Sequence, residues 1–300
     1  MKIGFIGLGK MGSNMTKRLV LAGHQVVAYD PDELASKEAI KNGAAIASDR
    51  QSVIDQLEDA IVWLMIPAQY VDAEIDELLK VVPAGSIVVD GGNSDFRLSR
   101  QRYERCREKS ISFVDVGTSG GILGLESGYA IMVGGDKASV DILEPIFTAL
   151  APPSGWDYFG ESGSGHYVKM VHNAIEYGLM ESYAEGYRML RDGPFKQIDL
   201  VAAGKVWSHG SIISSLLNKL TTEALQENPT LDGIEGVVAE SGETRWTLEV
   251  AEEMNIKLPV VKQAMQVRLD TQKGEVNFAT KLLAAMRNKF GGHSLNQEKR

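Results

Sequence analysis

Apolar and polar positions follow two rhythms along the chain. In the first half, short apolar runs of strand length recur at 2–7, 25–30, 60–66, 86–90 and 112–116. Helical spacing fills the intervals: Met11, Met15, Leu19 and Val20 before Gly23, then 71–82 and the charged stretch 95–109. Regular alternation of strand and helix predicts an open, mostly parallel sheet with ligand-binding loops at the carboxyl ends of its strands. The loops beginning at Pro67, Gly91 and Gly117 fall at such ends, and 129–133 and 157–160 read as final strands in a mixed extension. After Pro152-Pro153 and the Gly/Ser-rich run 160–165, strand signals fade. Helical patterns then occupy 163–191, 197–206, 210–226, 234–254, 258–271 and 277–289, with breaks at Pro194, Pro229 and Pro259. The expected architecture is an α/β domain over 1–162 followed by an all-α domain over 163–300.

The longest helical pattern opens at Gly163 and Gly165 and meets no proline before Pro194. Lys169, His172, Asn173, Glu176 and Tyr177 fall at i, i+3, i+4, i+7 and i+8, so they share one stripe. A second stripe, Val168, Val171, Ile175 and Leu179, is apolar and is expected to pack into a core. A row of unlike polar groups on such a helix suits a lined cleft; a solvated face would carry interchangeable Glu and Lys. A lysine against apolar walls has a lowered pKa and can serve as a base. A glutamate two turns on, about 10 Å along the axis, can serve separately as an acid. Lys169 and Glu176 are therefore the candidate catalytic pair, with His172 and Asn173 as hydrogen-bonding groups between them.

The first strand runs directly into Gly7-Leu8-Gly9-Lys10-Met11-Gly12, and a helix, a second strand and Asp30 follow. A bare GxGxxG says little. In this strand–helix–strand setting it predicts a Rossmann-type site, with a pyrophosphate on the helix N-terminus and Asp30 accepting from a ribose 2′-hydroxyl. Ile66, Ala68 and Asn93, at the ends of two further strands, are candidates for the same cofactor. Asp30, with Asp32 and Glu33 after it, opposes a 2′-phosphate, so NAD is expected rather than NADP. The plainer role for Asp30 is capping the turn at Pro31.

Composition narrows the partners. A net charge of −9 disfavours nucleic acid, and no apolar run reaches membrane-spanning length. Cys106 is the only cysteine, so neither a disulfide framework nor a cysteine metal cluster is expected, and a reducing, cytoplasmic setting is the simple inference. The cations are unevenly placed: Lys281, Arg287, Lys289, His293, Lys299 and Arg300 face the single acid Glu298 at the C-terminus. Such an end could hold an anionic small molecule or be a solvated tail.

Together, the Gly-Leu-Gly-Lys-Met-Gly loop, Thr118-Ser119-Gly120-Gly121 and the Gly-x-Gly-x-x-x-Lys169 helix resemble the β-hydroxyacid dehydrogenase superfamily. Within it, Lys169-x-x-His172-Asn173-x-x-Glu176-Tyr177, Asp90-Gly-Gly-Asn93-Ser and Arg287-Asn-Lys-Phe-Gly-Gly-His293 resemble the decarboxylating 6-phosphogluconate dehydrogenases, and the length resembles their short branch. The resemblance implies that Lys169 takes the proton of the substrate 3-hydroxyl as hydride passes to the nicotinamide, and that Glu176 protonates the enediol left after loss of CO₂. It implies that Asn93, Ser119, Gly120, Gly121, His172 and Asn173 hold hydroxyls and carboxylate, and that Tyr177, Arg287, His293 and Arg268 hold the phosphate. It further implies a homodimer or tetramer, since the family's tail reaches a partner's site. One departure stands out. The long branch has Lys and Thr phosphate contacts where this chain has Ser241 and Glu243.

Two other readings fit parts of the pattern. A dehydrogenase of an unphosphorylated 3-hydroxy acid would use Lys169 without needing Glu176, Arg287 or His293. A non-catalytic dinucleotide-binding protein would need only the first domain.

Overall fold

The computed structural model describes residues 1–296; Glu298, Lys299 and Arg300 of the basic tail lie outside them. Contacts divide the chain into Met1–Met170 and Val171–Arg300. The first unit runs β1 (Lys2–Ile6), α1 (Lys10–Leu21), β2 (Gln25–Tyr29), α2 (Glu33–Lys41), β3 (Ala45–Ile46), α3 (Arg50–Ile54), β4 (Ile61–Leu64), α4 (Ala68–Val81), β5 (Ile87–Asp90) and α5 (Phe96–Arg107). It continues through β6 (Ser112–Ser119), α6 (Gly124–Ser127), β7 (Ala130–Gly135), α7 (Lys137–Leu150) and β8 (Trp156–Gly160). The eight strands form one sheet in the order β3-β2-β1-β4-β5-β6-β7-β8. Pairing is parallel from β3 to β6, β7 runs antiparallel to β6, and β8 is parallel to β7. Strand order reverses between β1 and β4, and that is where the crevice of an open α/β sheet opens.

The strands are continuous apolar runs because helices cover both faces. Side chains alternate with period two. Ile3, Phe5, Trp63, Val89 and Val114 enter one core with Met15 and Leu19 of α1 and Phe147 of α7. Ile6, Val62, Leu64 and Val88 enter the other with Ile75 and Leu78 of α4 and Cys106 of α5.

Three departures from the periodicity bear on the architecture. The strand expected to stop at Val116 continues through Gly117 and Thr118 to Ser119, because β7 pairs with it along that whole length. The helix α7 is unannounced in the pattern because Pro145 sits inside it. The helix expected from 234 begins only at Glu243, because Gly236 and Gly242 take positive φ, +80° and +102°, which a right-handed helix excludes.

A 29-residue helix, α8 (Ser164–Asp192), leaves the first unit after Met170. The second unit adds α9 (Leu200–Trp207), α10 (Leu216–Glu227), α11 (Glu243–Glu253), α12 (Pro259–Thr271) and α13 (Phe278–Gly291). Its core joins Met180, Ala184 and Tyr187 of α8 to Leu225 of α10 and Leu282, Leu283 and Met286 of α13. The expected apolar stripe of α8 is not in this core: Ile175 is 57% and Leu179 49% exposed. Instead the row with Lys169, Asn173 and Tyr177 is turned inward.

Candidate active site

The glycine loop between β1 and α1 is shaped by close approach. Gly7 has φ +98°, and a Cβ there would clash with the carbonyl of Met65 and the side chain of Ile66. A Cβ on Gly12 would strike the carbonyl of Gly7, so the loop can close onto the helix only with glycine there. Open space lies in front of Gly9, which as N-cap offers no side chain to cap α1, the helix that begins at Lys10. This is an uncapped helix N-terminus behind a bare loop, the arrangement that accepts a pyrophosphate. Leu8 is buried in the sheet core and Met11 packs against it, so any role of theirs in cofactor binding is confined to the backbone. Ile66 and Ala68 follow β4, Ala68 as the first residue of α4.

Asp30, half-buried just after β2, is engaged twice. Its Oδ2 accepts the backbone N–H of Leu8 at 2.6 Å, and its Oδ1 accepts that of Asp32 at 2.8 Å. Asp30 thus caps its own turn and ties β2 to the glycine loop. Each carboxylate oxygen retains a second lone pair for a ribose hydroxyl. These residues fit NAD.

A second loop set lies one and two strands further along the sheet. Asp90, fully buried at the end of β5, accepts from Arg102 and Ser94 at 2.9 and 2.8 Å, which anchors the segment carrying Asn93. The Asn93 Oδ1 accepts the backbone N–H of Thr118, and the Thr118 hydroxyl donates to the Gly91 carbonyl. Ser119 therefore closes β6 beside Asn93, and Gly120 and Gly121 follow with φ of +130° and +54°.

Lys169 is carried to this loop set by the first turns of α8. Asp115, a buried acid between Val114 and Val116, accepts the backbone N–H groups of Gly163 at 2.6 Å and His166 at 3.0 Å. It caps the helix from inside the neighbouring strand. The His166 ring contacts the Gly92 carbonyl through Nε2 at 2.9 Å and the Ser99 hydroxyl through Nδ1 at 2.7 Å. A Cβ on Gly117 would collide with Cβ of Lys169, and one on Gly165 would strike the Met132 and Asp115 carbonyls. The first turns of the helix consequently sit hard against β6, and Lys169 is only 4% exposed.

The second unit gathers the remaining candidates around α8. The Nδ1 of His172 lies 3.0 Å from Asn173 Oδ1 and 3.9 Å from Glu176 Oε2. The guanidinium of Arg268 stacks 3.2 Å over the Tyr177 ring and donates to Met180 Sδ. Burial lowers the Arg268 pKa to about 10, still far above neutrality, and lowers that of Arg287 as well, against the pull of Tyr177 and Glu176. Among the described residues, neither arginine is hydrogen-bonded to a carboxylate. The phenol of Tyr177 meets the Ser241 hydroxyl and accepts the Ser241 N–H. Arg245 is drawn instead to Glu240, and Glu243 binds Asn173. Arg287 reaches this group from α13. His293 is exposed, edge-on to Phe290.

Asp115, His166 and Glu243 are the residues that periodicity passed over. The signal for Asp115 was a lone acid inside an apolar strand. His166 shows none, because it depends on partners distant in sequence, and Glu243 shows only as a departure from the long branch.

A sheet unit with a bare glycine loop, joined by a helix bearing an inward lysine to a helical unit with buried arginines, defines the architecture of a hydroxyacid dehydrogenase. The family profile described as the NAD binding domain of 6-phosphogluconate dehydrogenase matches residues 2–160, and that of the 6-phosphogluconate dehydrogenase C-terminal domain matches 165–299. The chain is 40% identical to an NAD(+)-dependent, decarboxylating 6-phosphogluconate dehydrogenase of Haloferax volcanii, over 98% of each chain. It is 34% identical to a decarboxylating 6-phosphogluconate dehydrogenase of Candida albicans, of which it spans only 58%. The solved 6-phosphogluconate dehydrogenase of Plasmodium falciparum superimposes with a TM-score of 0.81 at 28% identity, covering 95% of this chain and 70% of that one. The chain belongs to the 6-phosphogluconate dehydrogenase family.

Proposed function

We propose that the protein catalyses oxidative decarboxylation of 6-phospho-D-gluconate to D-ribulose 5-phosphate and CO₂ with reduction of NAD. The observation that carries this reading is the buried pair Arg268 and Arg287. Two desolvated guanidiniums without a hydrogen-bonded carboxylate are costly unless an anion completes them. A phosphate monoester supplies the oxygens that such forks match. An unphosphorylated hydroxy acid would leave both charges uncompensated.

Gly7, Gly9 and Gly12 would hold the cofactor pyrophosphate, and Asp30 its ribose. The nicotinamide, when bound, accepts the hydride from C3 of the substrate. Lys169, desolvated against Gly117, takes the proton of the 3-hydroxyl. It then returns that proton to the C3 oxygen as the carboxylate departs as CO₂. Glu176 protonates the carbon that becomes C1 of ribulose 5-phosphate. A base and an acid two helical turns apart suit a substrate whose reacting atoms lie at different carbons. Asn93, Ser119, Gly120, Gly121, His172 and Asn173 hold the hydroxyls and carboxylate; Tyr177, Arg268, Arg287 and His293 hold the phosphate.

A homodimer is part of the proposal. The exposed Ile175 and Leu179 on α8 and Val260 on α12, whose Cγ1 approaches Gly178, form an apolar face that a second copy would cover. No helix among the described residues is long and apolar enough to cross a membrane; a cytoplasmic setting fits the lone, buried Cys106 thiol. The test is reduction followed at 340 nm with 6-phosphogluconate and NAD, then NADP, with CO₂ trapped. Equal yields of NADH and CO₂ are expected, and absence of turnover with the phosphorylated acid would overturn the reading.

A further inference from the structure

Glu243 opens α11 with its side chain buried, 5% exposed, in the loop where the sequence resemblance placed a phosphate contact. Its Oε1 accepts from Asn173 Nδ2 at 2.9 Å, and its Oε2 is buried without a hydrogen-bond partner among the described residues. A carboxylate can only accept, so it must face the NH₂ of Asn173 and never the amide oxygen. The amide oxygen is thereby turned to His172, whose Nδ1 lies 3.0 Å away. An amide oxygen also only accepts, so that ring nitrogen must carry the hydrogen. Glu176 Oε2, 3.9 Å from the same nitrogen, favours the same assignment.

We infer that Glu243 is a positioning residue: it fixes the amide of Asn173 and, through it, holds neutral His172 as the Nδ1–H tautomer. In that tautomer Nε2 carries no hydrogen and can only accept. The deduction rests on the proposed reaction only for what His172 and Asn173 touch. The tautomer itself is a property of the protein without substrate. Failure of the tautomer assignment and failure of the proposed reaction are therefore separately visible.

The test is ¹⁵N NMR of the full chain labelled at histidine, with the His172 signals assigned by loss in His172→Asn. Wild type is expected to show Nδ1–H at a pH where the ring is neutral. Glu243→Leu should release that preference and lower kcat on the order of tenfold or more, with KM moving less. Glu243→Gln, whose side-chain oxygen can still accept from Asn173, should restore both the tautomer and most of kcat. An Nε2–H tautomer in wild type would overturn the inference even if no variant folded. So would an unchanged tautomer in Glu243→Leu, whatever its activity.

Discussion

The Nε2 of His166 lies 2.9 Å from the carbonyl oxygen of Gly92, both fully enclosed. A carbonyl accepts, so this nitrogen donates, and the bond ties the turn before Lys169 to the segment that presents Asn93. Lys169 and the Asn93 segment are thus registered to one another inside a single unit. His166→Leu should cut kcat by roughly 10- to 100-fold while the dissociation constant for NAD, measured by fluorescence, moves little. His166→Gln, which can place an amide N–H near the lost one, should recover part of the rate. A His166→Leu enzyme with wild-type kcat would show that the bond only supports the fold.

Lys169→Met should remove oxidation almost completely, by at least about 10³-fold, and leave NAD binding intact. The measurement pairs a turnover assay with cofactor titration. Retained turnover would move the base elsewhere.

For Arg287→Ala the expected result is a KM for 6-phosphogluconate raised roughly 100-fold, the scale of losing one side of a buried charge pair. Slow turnover of unphosphorylated gluconate should change far less. If both substrates suffer alike, the arginine supports the helical core and not the phosphate.

Asp30 caps its turn and is proposed to face the cofactor ribose, and its replacement should separate the two roles. Asp30→Ala should narrow the preference for NAD over NADP, because the negative charge facing a 2′-phosphate is gone. It should also weaken NAD itself, because Leu8 N–H loses its acceptor. An unchanged ratio of kcat/KM values for the two cofactors would assign Asp30 to the turn alone.

Glu181, buried on α8, has its pKa pushed up to about 7, chiefly by desolvation and then by Glu185, with Arg268 pulling the other way. Its folded-state pKa lies above the unfolded one. The unfolded chain therefore loses this proton first, and stability falls as pH rises from about 4.5 to 7. Above that window the penalty is complete, on the order of 3 kcal/mol at most. Glu181→Gln should accordingly raise Tm at pH 8 and change it little at pH 4.5. A uniform shift at both values would point to packing and not to titration.

Much of this was readable before any coordinates. The glycine loop, the acid that follows β2 and the polar row of α8 all follow from local spacing. What spacing does not carry is phase. The two stripes of α8 were correctly separated, yet Ile175 and Leu179 face outward while Lys169 and Asn173 face in. Periodicity says which residues share a side and not which side is covered. That choice is made by Ala174, Met180 and Ala184, small or flexible enough to pack, and by Gly165 where the helix meets the sheet. Asp115 and His166 were invisible, and Glu243 showed only as a departure from the long branch, for a related reason. Each acts on a group 48 to 74 residues away, and pattern arguments stop at a helical turn or two.

Gly117 and Gly165 leave no room for even a methyl group between α8 and β6. A library of random substitutions, scored for growth or turnover, would mark these two positions as severely as Lys169. Neither has a side chain with which to do chemistry. Intolerance at such sites measures a distance, the height of the amine above the strand. Tolerance maps of this protein will therefore confuse the ruler with the reagent unless each sensitive glycine is tested for the lysine it positions.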